Sequence, residues 1–276
     1  MPPVTPTLEL IIFSAGVVAG GLGSLLGLAG GVFLVPFFTL ALNFSFPMAA
    51  AISLCTVIAT SSSVSAARSG KQLINLRLGM LLEVATGAGS LLGGITALLI
   101  APAILQKLFG VTMAFIAVMM MTRLNRRNVI LDASVPTGVL GGRYLEEESG
   151  GMVAYRVKRL PVALVASFLA GNVSSLLGIG GGVVKVPVLN AWCGVPLRAA
   201  AATSAFMIGV TATAGAVIYY GRGQLMPSLA AAAVLGVQLG SWWAMRFATR
   251  VPAKWLKVLM VVLLVIVAIL MFARPR

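Results

Sequence analysis

Lys185 follows Gly180, Gly181 and Gly182 within LLGIGGGVVKVP, a stretch otherwise apolar enough to lie in lipid. A charge at the centre of a membrane costs about 2.5–3.5 kcal/mol on insertion scales, and consecutive glycines weaken any helix. Together they point to a purpose. Glycine permits a break in the helix and lets another group approach the main chain. The apolar piece that follows, Val183 to Trp192, is too short to cross alone. It is expected to be a half-helix starting at membrane depth, with unpaired N–H groups and its positive dipole end turned into the protein. Gly30 and Gly31 stand in the same place ahead of Val32 to Phe44. Two such starts make an anion site, and Lys185, in the first turn of the second, adds charge to it. Two other readings stand beside this one: Lys185 snorkels to an interface, or it pairs with Glu83, the one acidic residue well inside a span. Glu83 suits a coupling proton, a headgroup contact or a pairing role.

Hydroxyls extend the candidate site. Ser53 and Thr60 are seven residues apart, two helical turns on one face, and so are Ser204 and Thr211. They offer neutral donors along a path, or they cement helices as Ser and Thr commonly do in membranes. Other chemistries lack their parts. The chain has no histidine; Cys55 and Cys193 lie in apolar segments without metal-ligand spacing, so neither a metal nor a cofactor is expected. GIGGG follows a helix rather than a strand and lacks a GK[ST] sequel, which excludes a nucleotide loop. With almost no buried carboxylate, an enzyme is not expected.

The elements that position these residues are membrane spans. The chain is 59% hydrophobic and 9% charged, with mean hydropathy +1.05. Eight apolar stretches are each long enough to cross a ~30 Å hydrocarbon core: Leu8 to Leu28, Met48 to Ala67, Leu76 to Ala101, Ile104 to Thr122, Leu160 to Ile179, Leu197 to Tyr219, Met226 to Met245 and Trp255 to Ala273. The N-terminus lacks a basic region and a clear cleavage site, so the first stretch is expected to be a retained span.

Shifted by 151 positions, the sequence matches itself. Gly20, Ser24, Gly27, Gly30, Gly31 and Pro36 recur as Gly171, Ser175, Gly178, Gly181, Gly182 and Pro187, and Ser53, Thr60 and Ser90 recur as Ser204, Thr211 and Ser241. Lys185 falls opposite Leu34, and Glu83 opposite Val234. Four spans per half, an even number, predict two parallel repeats. The expected units are a first transmembrane repeat at 1–122, a cytoplasmic linker at 123–159 and a second repeat at 160–276. Within the linker, RYLEEESGGMVAYRVKR predicts a hairpin turning at Ser149, Gly150 and Gly151. The net charge of +14 is distributed between spans without a nucleic-acid-binding motif, so it is assigned to membrane orientation. Placing both termini and the linker in the cytoplasm leaves Lys107, Arg198, Arg246, Arg250, Lys254 and Lys257 outside, with most of the basic residues inside.

The doubled breaks SLLGLAGGVFLVP and SLLGIGGGVVKVP, together with ATSAFMIGVTATAGAVIYYGRG and the linker GGRYLEEESGGMVAYRVKRLP, resemble the TauE/SafE sulfite exporter family of permeases over nearly the whole chain. The resemblance implies an all-α, multispanning secondary transporter in the plasma or inner membrane. Its cargo would be small sulfur-containing anions such as sulfite or organosulfonates. One departure is Ala29, where the family favours a glycine. An anion channel using the same site, proton-coupled uptake of another organic anion, and a non-transporting scaffold are the alternatives. The expected partners are the anion and the lipid bilayer, with a homodimer left open.

Overall fold

Apolar stretches carrying glycines four residues apart can form helices whose backbones touch, and this sets the packing of the whole bundle. The computed structural model describes residues 5–26, 30–68, 73–122, 138–145, 151–247 and 253–273. In chain order the first half contains α1 (Pro6–Leu26), α2 (Gly31–Pro36) running into a π-helical turn (Phe37–Ala41), α3 (Phe46–Arg68), α4 (Leu76–Leu99) and α5 (Pro102–Thr122). Strands β1 (Gly142–Leu145) and β2 (Met152–Tyr155) follow. The second half contains α6 (Leu160–Leu177), α7 (Gly182–Ala191), α8 (Leu197–Gly221), α9 (Pro227–Phe247) and α10 (Ala253–Ala273).

Five described helices, α1, α3, α4, α6 and α8, are long and apolar enough to cross a membrane. Val18, Val84, Phe115, Leu169, Val217 and Leu235 are each more than half exposed. Apolar exposure on this scale is what a lipid-facing surface requires.

Close contacts fix the helix directions. Along α1 and α9 the positions advance together: a methyl group on Gly236 would strike the Phe13 carbonyl, and one on Gly240 the Val17 carbonyl. The two helices are therefore parallel. Likewise α4 and α6 are parallel, with Gly171 against Thr86 and Gly93 against Asn172. Helix α8 runs the same way as α4, since Thr203 meets Asn75 while Thr211 meets Ser90. Between α3 and α8 the order reverses: Ser61 donates to the Ala205 carbonyl at 2.5 Å, whereas Leu54 lies 3.1 Å from the Cβ position of Gly215. These two are antiparallel.

Helices α1, α3 and α9 thus point one way, and α4, α6 and α8 the other. Equivalent helices of the two halves run oppositely, so the halves form an inverted repeat rather than the expected parallel one. The glycine breaks are the cause. Each turns the chain back, so the half-helix adds a pass and, among the described residues, every half contains five helical passes, an odd number. The start of α1 and the end of α10 consequently lie at one end of the bundle, called here the terminal end, with the linker at the other. The start of α1 and the end of α10 do not share an end with the hairpin, whereas the expectation put termini and linker on one face.

The linker does contain the expected hairpin. Its strands pair antiparallel, with Gly142 opposite Tyr155 and Leu145 opposite Met152, while the expected turn at Ser149 and Gly150 lies outside the described residues. Tyr144, Val153 and Tyr155 face inward and pack with Leu78 and Leu82 of α4, Leu189 of α7 and Ala199 of α8. Asn75, whose side chain caps α4 by accepting from the Leu78 N–H, donates to both the Leu140 carbonyl (2.8 Å) and the Tyr155 hydroxyl (3.1 Å). One side chain therefore starts a helix and fastens the hairpin to it.

Candidate functional site

Both breaks lie deep in the bundle. Helix α6 ends on Gly178, whose φ of 72° is the left-handed conformation that glycine adopts without strain, and Gly180 repeats it at 73°. The chain then turns back so sharply that Gly181, the N-cap of α7, sits beside the Ala170 carbonyl midway along α6; a methyl group there would approach it to 2.7 Å. Past the end of α7, the Cys193 carbonyl accepts from the Lys158 N–H just ahead of α6. Helix α7 therefore runs antiparallel to α6. In the first half Gly30 lies against the Ala19 carbonyl in the same way.

The two breaks meet. Ser53 of α3 donates to the Gly178 carbonyl at 2.5 Å, and a methyl group on Gly31 would come within 2.7 Å of that same carbonyl. The half-helices differ in form, however. Helix α7 has ten residues, whereas α2 has six before the π-helical turn. At the start of α7, Gly182 leaves room for Ser204 of α8, whose Oγ would lie 3.1 Å from a Cβ added at Gly182. The Ser204 hydroxyl is fully buried and has no hydrogen-bond partner among the described residues. It stands beside the start of α7, where the Val184 and Lys185 N–H groups already donate to the Gly181 carbonyl at 3.3 and 3.2 Å.

Lys185 points back along α7 toward this break, as helical side chains do. It is 1% exposed. Its Nζ lies 3.3 Å from Thr211 Oγ1 on α8 and 3.8 Å from Glu83 Oε2 on α4. Thr211 donates to Glu83 Oε1 at 2.7 Å, and its own backbone carbonyl accepts from Ser90 at 2.7 Å. A cation, a hydroxyl and a carboxylate from three helices thus form one cluster, Lys185 and Thr211 fully buried and the Glu83 side chain 12% exposed. Of the three readings for Lys185, the geometry shows the Glu83 ion pair, bridged by Thr211, and no snorkelling.

The remaining candidates divide. Ser204, Gly181 and Gly182 flank the cluster two turns along α8, while Ser53 and Gly31 hold the breaks together. Gly30 packs on α1 and Gly180 shapes the turn. Thr60, the repeat mate of Thr211, donates to the carbonyls of Thr56 and Val57 in its own helix. The repeat-related cluster would be Leu34 of α2, Thr60 of α3 and Val234 of α9, without charge. Sequence reasoning passed over Ser90, which holds Thr211 in place; its recurrence as Ser241 was the available signal. It also passed over Asn75, which nothing in the repeat marks. A cavity of about 290 Å³, lined by Thr39, Asn43, Phe44, Phe46, Pro102 and Gln106 among others, lies at the terminal end and not beside Lys185. At the linker end the equivalent turn around Gly194 is covered by the chain leaving the hairpin, with the Arg156 carbonyl 3.4 Å from its Cβ position. There burial pushes the Cys193 thiol up from its ordinary pKa, against a lowering by Arg159, and burial likewise raises the Tyr155 phenol, against the hydrogen bond from Asn75.

Residues 12–271 match the family described as Sulfite exporter TauE/SafE. A probable membrane transporter protein of Bacillus subtilis, YunE, is 25% identical over 265 residues, covering 94% of this chain and 95% of its own. A probable membrane transporter protein of Methanocaldococcus jannaschii, MJ0441, is 26% identical over 215 residues, 76% of this chain and 71% of its own. Sulfite exporter TauE/SafE family protein 6 of Arabidopsis thaliana is 37% identical over 75 residues, 27% of this chain and 17% of its own. No solved structure matches the chain.

Proposed function

From the premise that the chain belongs to the TauE/SafE sulfite exporter family and is a membrane transporter, we propose that it carries small sulfur-containing anions, sulfite or organosulfonates, by alternating exposure of the Lys185 site. The observation that carries this reading is a fully buried lysine kept at the meeting point of two inverted repeats. Such a residue is costly in lipid unless it serves a ligand or a partner, and transporter sites of this architecture lie at the repeat interface near mid-membrane. The substrate site comprises Lys185, Thr211, Ser204 and the start of α7 at Gly181 and Gly182. Gly30, Gly31, Gly180, Ser53 and Thr60 shape and support it. An inverted repeat supplies two arrangements of the same parts related by a two-fold axis in the membrane plane, which favours a carrier over an open pore.

Orientation follows from charge. Among described residues, Arg77, Arg143, Arg156, Lys158, Arg159, Arg198 and Arg246 lie at the linker end, against Lys107 and Arg222 at the terminal end. The positive-inside rule then places the linker in the cytoplasm and both termini outside.

The test is flux into proteoliposomes of labelled sulfite, sulfate, thiosulfate and methanesulfonate. Lys185→Met lowers sulfite and sulfonate flux roughly tenfold or more, the worth of a charge-assisted hydrogen bond at ~1.5–3 kcal/mol. Leu34→Met, at the equivalent position, leaves it unchanged. Unaltered flux in Lys185→Met removes the lysine from the site.

A further inference from the structure

Glu83 occupies Lys185 much as a small oxyanion would. One carboxylate oxygen takes the proton of Thr211 at 2.7 Å, and the other faces the ammonium at 3.8 Å and has no hydrogen-bond partner among the described residues. A sulfonate or sulfite offers the same pair of neighbouring oxygens to the same two groups. Only one ammonium serves this seat, so two anions cannot both hold it. With Glu83 ionised the pair is neutral, and an arriving anion meets attraction from Lys185 cancelled by repulsion from Glu83 at a similar distance. A proton on Glu83 removes the repulsion and frees the seat.

Resting on the transport reading above, we propose that Glu83 is the resident anion exchanged for substrate, leaving Lys185 as a neutral carboxylic acid, so that one proton travels with each substrate monoanion. The proton comes from the water on the loading side, adds to the Glu83 carboxylate, and is given up on the far side as Glu83 returns to Lys185. No covalent bond of the substrate changes. Thr211 is suited to the exchange because its hydroxyl has a second acceptor in reach, the Met207 carbonyl at 3.0 Å, for the interval when the carboxylate is away.

No other group competes for the role among the described residues. Helix α4 presents Glu83 alone at this level, with Arg77 exposed at its start. Helix α7 presents Lys185. Helix α8 carries Arg198 exposed at its start and Tyr219 two turns beyond Thr211, its hydroxyl committed to the Ser175 carbonyl at 3.1 Å. Helix α6 has no titratable side chain, and Arg159 ahead of it is exposed. Above Leu78 and Leu82 the hairpin contributes Tyr144 and Tyr155, the latter bonded to Asn75. The repeat-related places, Leu34 on α2 of the first half and Val234 on α9 of the second, have nothing to exchange, so only one of the two equivalent sites is coupled.

The experiment loads proteoliposomes with a pH-sensitive dye and drives uptake of methanesulfonate, a permanently ionised sulfonate that brings no proton of its own. Sulfite is the second probe, its proton count compared across pH so that the proton it carries itself is subtracted. The expected result is one proton per anion, uptake driven by a pH gradient and not by a potassium diffusion potential. Apparent affinity should rise up to about tenfold per unit as pH falls while Glu83 is ionised in the empty protein. Glu83→Gln is expected to carry the anion without a proton, independent of pH and responsive to potential. Wild-type flux without proton movement, or one proton per anion persisting in Glu83→Gln, overturns the proposal while leaving the transport reading intact. The wild-type proton count decides alone if the variant does not fold. Absence of any anion flux overturns the transport reading, and this proposal with it.

Discussion

Ser53 and Gly178 join the two halves of the molecule at their breaks, the hydroxyl donating to the carbonyl at 2.5 Å with Gly31 packed against both. A side chain on Gly31 would have to displace backbone, because the Gly178 carbonyl stands 2.7 Å from its Cβ position. Gly31→Ala is therefore expected to destabilise the protein by about 1–3 kcal/mol, an overpacking cost. Gly87→Ala is the control, since an added methyl group there meets nothing within 4 Å. Thermal unfolding in detergent, followed by loss of the monodisperse species, should lower Tm by several degrees for the first variant and leave the second unchanged.

Much of this arrangement was legible in the sequence. The 151-residue offset located both breaks, both half-helices to within a few residues, and Thr211, while charge inside apolar segments singled out Lys185 and Glu83. The direction of the repeat was not legible. Hydropathy counts full-length spans, and a half-helix folded back beside Ala170 is too short to register as a pass, so an odd number looked even. The same miscount put the start of α1 and the end of α10 at the same end as the hairpin. Nor could the periodicity show that Thr60 and Thr211, equal in register, differ in partners. That depends on what α4 and α9 place opposite them, a carboxylate in one case and Val234 in the other.

The hairpin should loosen when its fastening is cut. Cys193 is fully buried beneath it, and its raised thiol pKa slows modification further. Asn75→Ala removes a helix cap and two hydrogen bonds to the hairpin, a loss of about 0.5–2 kcal/mol. Labelling of Cys193 by a thiol reagent, with Cys55 replaced by Ala, is expected to accelerate about fivefold for each kcal/mol lost. Tyr155→Phe removes one hydrogen bond and should give a smaller increase. Equal rates in all three proteins would mean that the hairpin does not depend on Asn75.

Orientation can be read with single cysteines in a background lacking Cys55 and Cys193. Thr7, at the start of α1, and Arg143, in β1, are both exposed and lie at opposite ends of the bundle. A membrane-impermeant maleimide applied to intact cells is expected to label Thr7→Cys and to spare Arg143→Cys until the membrane is opened. The reverse pattern would invert the proposed topology without altering the inverted repeat.

The two halves contain their own control for the ion pair. At the positions equivalent to Lys185 and Glu83 the fold places Leu34 of α2 and Val234 of α9, so an apolar pair is sterically admissible there. Removing one member of a buried pair strands the other charge, which typically costs about 3–5 kcal/mol, whereas replacing both by apolar residues is often neutral or stabilising. Lys185→Leu alone and Glu83→Val alone should each lower Tm, and the Lys185→Leu/Glu83→Val double variant should recover it. Transport separates the roles: the double variant, as stable as the parent, is expected to carry neither sulfite nor methanesulfonate. A stable double variant with full flux would reduce the pair to a structural feature, and an unstable one would show that the contact between α4 and α7 needs the charges to fold.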